Sequence, residues 1–578
     1  MSVRQAYSSL SSSSPRSTVS QTLRSIVGAP FIDSASCKAL TQLLLDDLQA
    51  IIIDAAPSRL TRDDALSALS AVKSLGKTPH GAQVLASSPN LKCLMILATK
   101  LEATPDASNE ALKCVANTLL LCEVARTRLL TEEVDGGNIS IDLLQKSTTP
   151  EYIFIASRIL FLCTASRHQS ASFIQSIVET QRTHFPGGGT IIDVIALKLE
   201  DLIASMQAGV NMSRDAMTDL LKLVFNLLVH YPKLVPSEAQ SPALAAHADD
   251  EKVMGDFWNQ RLDCILPPLV HAFQASPLST PNPLTSPLTH IIHALINIPV
   301  NQSSRLIWFG ARPSSDDQSL PSDAKSSHIG LTTSSAISAG HSSLSASPLA
   351  TDCVSRAYNI LDTALAYFLP GDIDPDDPTV RDLCKKEGDT SLDEIICPIV
   401  ILLTRFCLGD NDAKARIRER LVPENLDRTY PLETRPDILG RCMRLLASIY
   451  HSRLKEATGE MLYAMCDSNA TSLAGYFGYG NVAGFLFHKG IVSAPPPGAS
   501  SNGPPTTASG LPINPITGTI EEPREPEGPG MTDEEKELEA QKLFALFDEL
   551  EKTGMLPPGQ NPYRQAIQQG LISMDSTN

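Results

Sequence analysis

Aromatic residues are scarce in this sequence, 5% of 578 residues with only two tryptophans, although 42% of the chain is hydrophobic. A core that large must be aliphatic, which suits helix stacked on helix better than a β-sandwich. Cysteine pairing is missing as well. Twelve cysteines are scattered along the chain, most of them inside apolar phrases such as those around Cys114, Cys122, Cys163, Cys407 and Cys466, with no CxxC pair and no histidines at zinc spacing. They read as buried reduced thiols, not as a disulfide or metal framework. No apolar run approaches the ~20 residues of a membrane span, so direct membrane insertion is not expected. The opening MSVRQAYSSLSSSSPRS lacks the apolar centre of a signal peptide and reads, over 1–29, as a disordered serine-rich lead. Positive charge is in deficit: the net charge is −17. That excludes a nucleic-acid or anionic-membrane binder, which needs a basic surface. The segment from Glu521 to Lys552, with twelve acids and four bases, carries −8 of it. No nucleophile, base and orienter stand together, so bond-making chemistry, a cofactor and a metal are all unexpected.

What is present is a recurring helical phrase. In NEALKCVANTLLL (Asn109 to Leu121), Lys113, Val115 and Asn117 recur at the same spacing as Lys222, Val224 and Asn226 in LLKLVFNLLV. His293, Leu295 and Asn297 repeat it more loosely, and Lys73 with Lys77, and Arg158 with Leu162, are weaker echoes. Residues four apart share a helix face, so each copy sets a polar pair on one stripe between aliphatics. The steps from Lys77 to Asn117 and from Asn117 to Leu162 are 40 and 45 residues, in the range of armadillo and HEAT repeats. From 30 to 492 nearly every segment reads as an amphipathic helix, and no alternating strand pattern stands out. The architecture expected is an all-α, armadillo/HEAT-like helical solenoid. Thr61 with Asp64 marks one helix start, and Gly76, Pro79 and Pro232 mark helix ends.

Three stretches interrupt the array. HFPGGGT, from His184, lacks the GK[ST] of a phosphate cradle and reads as a loop. Residues 311–350 are poor in bulky apolar side chains and read as a disordered insertion. The region 493–530 begins as a Pro/Gly/Ser linker, SAPPPGASSNGPPTTASGL, and turns acidic. It leads to an amphipathic tail helix at 531–554, with a capping box of Thr532 and Glu535, an apolar stripe of Leu543, Phe544, Leu546, Phe547 and Leu550, and Gly554 as its stop. A flexible C-terminus, 555–578, follows. An isolated helix of this length is marginal in water, so Phe544 and Phe547 imply docking on the array or on a partner.

Candidate sites each carry two readings. Asn117, Asn226 and Asn297 either satisfy local backbone groups or form an amide ladder for a guest peptide. The basic clusters, Lys73 with Lys77 and Lys414, Arg416, Arg418 and Arg420, are either a solvated helix face or a hold on an acidic or C-terminal carboxylate ligand. GYFGYGNVAG, Gly475 to Gly484, has no preceding strand and reads as a terminal helix hairpin with close backbone approach, not as a dinucleotide loop.

With these phrases in view, the chain resembles the synembryn family of exchange factors and folding chaperones for heterotrimeric G-protein α subunits (Gα). FGYGNVAGFL, from Phe477 to Leu486, resembles the family's glycine-rich last repeat. NPITGTIEEP and GMTDEEKELEAQKLFALFDEL, from Asn514 to Leu550, resemble its tail. EALKCVAN, RILFLCTA and LKLVFNL add weaker matches. The resemblance implies an armadillo-like superhelix whose concave face grips the C-terminal helix of GDP-bound or nucleotide-free Gα, loosening the nucleotide and supporting Gα during folding. It implies groove residues Lys73, Lys77, Asn117, Phe161, Asn226, Lys414 and Arg418, and a tail helix whose Phe544 and Phe547 brace Gα. It also implies a monomer in the cytoplasm, drawn to the cell cortex through Gα. The family's acidic, phosphorylatable segment before the NPxTG phrase is replaced here by the uncharged linker. The alternative is a passive armadillo scaffold or transport adaptor, for which a basic N-terminal arm and regular Trp-Asn pairs are expected. Trp258 and Trp308 are the only tryptophans.

Overall fold

The computed structural model describes residues 2–53, 58–101, 104–165, 167–182, 188–235, 258–310, 352–388, 390–491, 506–507, 510–520 and 532–552. Among them the regular structure is helical, with isolated β-bridges such as Arg182–Gly189 and Thr506–Pro512. The chain opens with α1 (Val3–Ser8), α2 (Arg16–Val27), α3 (Ser34–Ile52) and α4 (Ala65–Gly76). Each of the next three repeats is a short helix followed by two longer ones. They are α5 (Pro79–Leu85), α6 (Ser88–Lys100) and α7 (Pro105–Leu121); α8 (Glu123–Leu129), α9 (Gly136–Lys146) and α10 (Pro150–Thr164); α11 (Arg167–Glu179), α12 (Ile191–Gln207) and α13 (Ser213–His230). The pattern loosens in α14 (Leu266–Ala275) with α15 (Leu288–Leu295), and in α16 (Arg305–Phe309), α17 (Cys353–Phe368), α18 (Pro378–Lys386) and α19 (Leu392–Gly409). It closes with α20 (Asn411–Leu421), α21 (Ile438–Ala447) and α22 (Ser452–Met465), then α23 (Ala470–Phe477) and α24 (Tyr479–His488). Helix α25 (Asp533–Lys552) belongs to a second compact unit, 520–578.

The repeats stack into two rows. In the first, α4 packs on α7, α7 on α10, α10 on α13, α13 on α15, α15 on α19 and α19 on α22. In the second, α3, α6, α9, α12, α14, α17, α21 and α24 follow one another, and from α3 to α21 each packs on its first-row neighbour. This is the helical solenoid that the 40- and 45-residue spacings predict. Its core is aliphatic and nearly continuous: one cluster runs from Tyr7 to Cys163 and another from Ile141 to Leu486, and Phe154, Phe161 and Phe173 pack against both. The few large aromatics inside, Trp308 and Phe406 among them, fill wide joints, with ring centres 5.4 Å apart in an edge-on pair. Local chemistry sets the helix starts. Thr78 Oγ1 accepts from Gly81 N–H at 3.1 Å with Pro79 in the first turn of α5, so Pro79 opens a helix as well as following one. Thr61 and Asp64 cap a 3₁₀ turn, Arg62–Asp64, that leads into α4.

Two expectations need correction. Residues 1–29 are not a disordered lead: α1 and α2 are folded, with Tyr7, Val19, Leu23 and Ile26 buried and α2 packed on α4. Val19, Leu23 and Ile26 keep a helical spacing, but the surrounding serines mask it in composition. Tyr7 Oη donates to Asp47 at 2.7 Å, while Arg59 pairs with the same carboxylate. The second correction concerns 493–530, since Pro512 to Thr519 within it are folded onto the α23–α24 turn. The three glycines after His184, the insertion at 311–350, Gly554 and the C-terminus 555–578 lie partly or wholly outside the described residues. The cysteines are free; Cys264 is exposed, Cys122 and Cys397 are half-buried and the others are buried. Burial pushes the Cys442 thiol up to about 12, which keeps it protonated and inert.

Leu23 is fully buried, so Leu23→Ala should cost about 2–4 kcal/mol in the cooperative unit that contains α2, measured by denaturant unfolding. A disordered lead would lose nothing.

Candidate partner-binding face

The first row carries its charges in a regular order. Glu110 on α7 has a side chain only 8% exposed, yet it is an ion partner of Lys73 on α4 and of Lys113 on its own helix, 3.7 Å away. Lys113 reaches on to Glu151 of α10 at 3.0 Å. Two helices further, Asp219 of α13, 2% exposed, accepts from Arg158 of α10 at 2.6 Å and from Lys222 at 3.1 Å. Each buried carboxylate is thus held by a base from the preceding helix and a base three residues on. The pairing is more than decoration, because a carboxylate buried without partners would cost several kcal/mol. Aromatic faces complete the pattern: Arg158 lies over Phe154 with its guanidinium carbon 4.3 Å from the ring centre, and Lys222 lies 5.8 Å from that of Phe161. Lys73, Lys77, Lys113, Arg158, Arg214 and Lys222 stand against Asp106, Glu110, Glu151, Asp215 and Asp219, a nearly balanced stretch on a chain of net charge −17.

The sequence-derived candidates divide on this frame. Lys73 is half-buried and paired, whereas Lys77, at the end of α4, is exposed. Asn117 is half-buried one turn beyond Lys113, and Phe161 is half-buried beneath Lys222. These fall on α4, α7 and α10, three neighbours in one row. Asn226 is buried, and its Nδ2 donates to Phe161 O at 3.1 Å and Thr164 Oγ1 at 3.0 Å. Asn297 Nδ2 donates to His293 O at 2.7 Å. The donor ends of both amides are taken within the fold, as the local-satisfaction reading expects. Lys414 and Arg418 sit elsewhere, on α20, where both pair with Asp467, at 2.5 and 3.6 Å. The Lys414 hydrogen bond and charge hold the Asp467 carboxyl below its usual range. On α25, Leu543 and Leu546 are about half exposed and Phe547 is half-buried. The side chains of Phe544 and Glu535 lie outside those described.

Sequence reasoning missed Glu110 and Asp219, although a signal existed: both precede a lysine by three positions, in EALK and DLLK. It also missed a cavity of about 840 Å³ further along the row, lined by Leu284, His293, Glu394, Pro398, Ile401 and Arg453 among others. Pro398 stands inside α19, where it has no N–H to give the carbonyl four residues back.

The family described as guanine nucleotide exchange factor synembryn matches residues 68–571. Curated relatives include Chaperone Ric-8A of Xenopus laevis, 29% identical over 173 residues (29% of this chain, 32% of the relative). Chaperone Ric-8A of Macaca fascicularis is 30% identical over 184 residues (30% and 33%). The matched segments span about a third of the length of these relatives. A solved engineered protein aligns with 80% of this chain and 94% of its own at 12% identity and a TM-score of 0.32. Among the described residues no helix is long and apolar enough to cross a membrane.

Between Lys222 and the cavity, burial first, then the charges of Lys222 and His293, push the His290 imidazole down to about 4 against the pull of Asp219. Its folded pKa is therefore below its unfolded value, and the stability it contributes is complete above about pH 6.5 and is lost as pH falls toward 4. Ring resonances of His290 should titrate near pH 4, and His290→Gln should flatten the fall in unfolding free energy between pH 6.5 and 4.

Proposed function

The chain belongs to the guanine nucleotide exchange factor synembryn family, and from that premise we propose that it is a non-receptor guanine-nucleotide exchange factor and folding chaperone for Gα. The observation that carries the reading is the family match over 68–571, which runs from the first row's opening helix through the tail. The curated relatives named as chaperones point the same way. The first row supplies a face suited to the task. Lys77 and Asn117 offer a cation and an amide at the ends of neighbouring helices, Phe161 offers a ring, and Lys73, Lys113 and Lys222 stay partly exposed beside their buried carboxylates. A guest helix ending in a free carboxylate fits such a face: its charge meets the bases, and its unsatisfied last carbonyls meet the donors.

In this reading the concave wall of an armadillo-like superhelix draws the Gα C-terminal helix away from the nucleotide-binding domain, and α25, through Phe544 and Phe547, braces what remains. No covalent step is required. Binding the empty form better than the GDP form is enough, and about 1.4 kcal/mol of that preference is worth tenfold in rate. Lys414 and Arg418, paired to Asp467 in the turn after α22, take part only if a partner competes for them. The setting is the cytoplasm, with a monomer reaching the cell cortex through Gα.

GDP release from purified Gα, with and without this protein, tests the reading, and an unchanged rate rejects it. Lys77→Glu is the clean probe of the face. Lys77 is exposed, so its reversal should slow stimulated release severalfold, up to about tenfold for a loss of ~1.4 kcal/mol, without moving the unfolding temperature. Lys73→Glu should lower both, because it sets a second carboxylate against buried Glu110.

A further inference from the structure

Helix α24 closes the array at His488. Residues 512–519 then lie on the turn between α23 and α24. Gly478 (φ +81°) and Gly518 (φ +72°) meet there backbone to backbone: a Cβ on Gly478 would fall 2.4 Å from Gly518 N, and one on Gly518 would fall 2.6 Å from Phe477 O. Both positions require glycine. Tyr479 N–H donates to Pro515 O and Gly480 N–H to Ile516 O, each at 2.8 Å. These are first-turn amides of α24, which have no acceptor within their own helix. The returning strand is therefore the cap of the last helix.

Arg428 closes the arrangement. It is 5% exposed, and its Nη1 donates to Gly518 O at 2.7 Å and to Tyr476 O at 2.9 Å, one bond to the returning turn and one to α23. The turn also holds itself together. Asn514 Oδ1 accepts from Ile516 N at 2.9 Å, Asn514 N donates to Thr519 O at 2.8 Å and Gly518 N to Asn514 O at 2.9 Å. Apolar burial contributes little, since Ile513 is buried but Ile516 is 63% exposed. A buried guanidinium spent on carbonyl oxygens is a costly way to cap one helix. The segment it grips leads on to α25.

We propose that Arg428 and the Asn514–Thr519 turn form a clamp that fixes the root of the tail, which makes Arg428 a positioning residue for α25; this rests on the reading of α25 as a partner-contacting helix. Opening the clamp moves the array's last hold on the tail back from Thr519 to α24, which lowers the effective concentration of α25 at its target.

The test uses the full chain with Arg428→Met and Asn514→Ala. The second variant alters only the returning turn, so the array folds whatever the first one does. Hydrogen exchange at Tyr479 and Gly480 should quicken by about tenfold or more in both. The concentration of protein giving half-maximal GDP release from Gα should rise severalfold, with the maximal rate unchanged, and Arg428→Lys should recover part of the loss. Unchanged protection in both variants overturns the clamp. Faster exchange with an unchanged half-maximal concentration overturns the positioning role. If the unmutated chain does not speed release at all, the exchange reading is what fails, and amide protection still decides the clamp.

Discussion

A short repeat of two or three helices with aliphatic stripes has no way to bury both of its sides by itself, and everything else in this protein follows from that constraint. Each first-row helix buries one side against its second-row partner and its flanks against the helices before and after it. Leu69 and Val72 of α4, Leu112 and Val115 of α7, and Leu220 and Val224 of α13 are fully buried members of this stack. With so few aromatics available, continuity of packing replaces bulk. The rings that are present stand at joints, as Phe154, Phe161 and Phe173 do where the two core clusters meet.

The same stacking creates the charge pattern. A helix in the middle of a row is contacted from both sides, so a polar side chain on its flank is removed from water unless the neighbour supplies a partner. Glu110 and Asp219 are such cases, each met by a base from the preceding first-row helix and by a lysine three residues on. The bases of these two clusters therefore face solvent while their carboxylates do not. Such pairing keeps charge on the flank of a row without leaving an unpaired charge in the interior.

How much of this was legible in the sequence differs by element. The period, the all-helical class and the positions of α4, α7, α10 and α13 were visible because apolar spacing is a local property, and local propensity and packing agree there. Lys73 and Asn117 were singled out by the same register, and Phe161 by the family resemblance alone. Helices α1 and α2 were obscured, because three buried aliphatics among many serines read as disorder until α4 is there to receive them. Asn226 and Asn297 were ambiguous: an amide that serves a guest and one that satisfies a neighbouring carbonyl look alike in a helical phrase. Arg428 gave no signal at all, since its partner carbonyls lie 48 and 90 positions along the chain.

The sequence by itself determined the building unit: an aliphatic helix stripe with a recurrent Lys and Asn, repeated at intervals that force stacking, followed by a separate acidic amphipathic helix. Those are consequences of side-chain order along one helix, and no distant contact alters them. Only the tertiary structure decided which charges are spent and which remain, because that depends on what the adjacent helix places within about 3 Å. It gave Lys73 and Lys222 buried carboxylates, set Lys414 and Arg418 against Asp467, left Lys77 exposed, and brought Gly518 back onto Gly478.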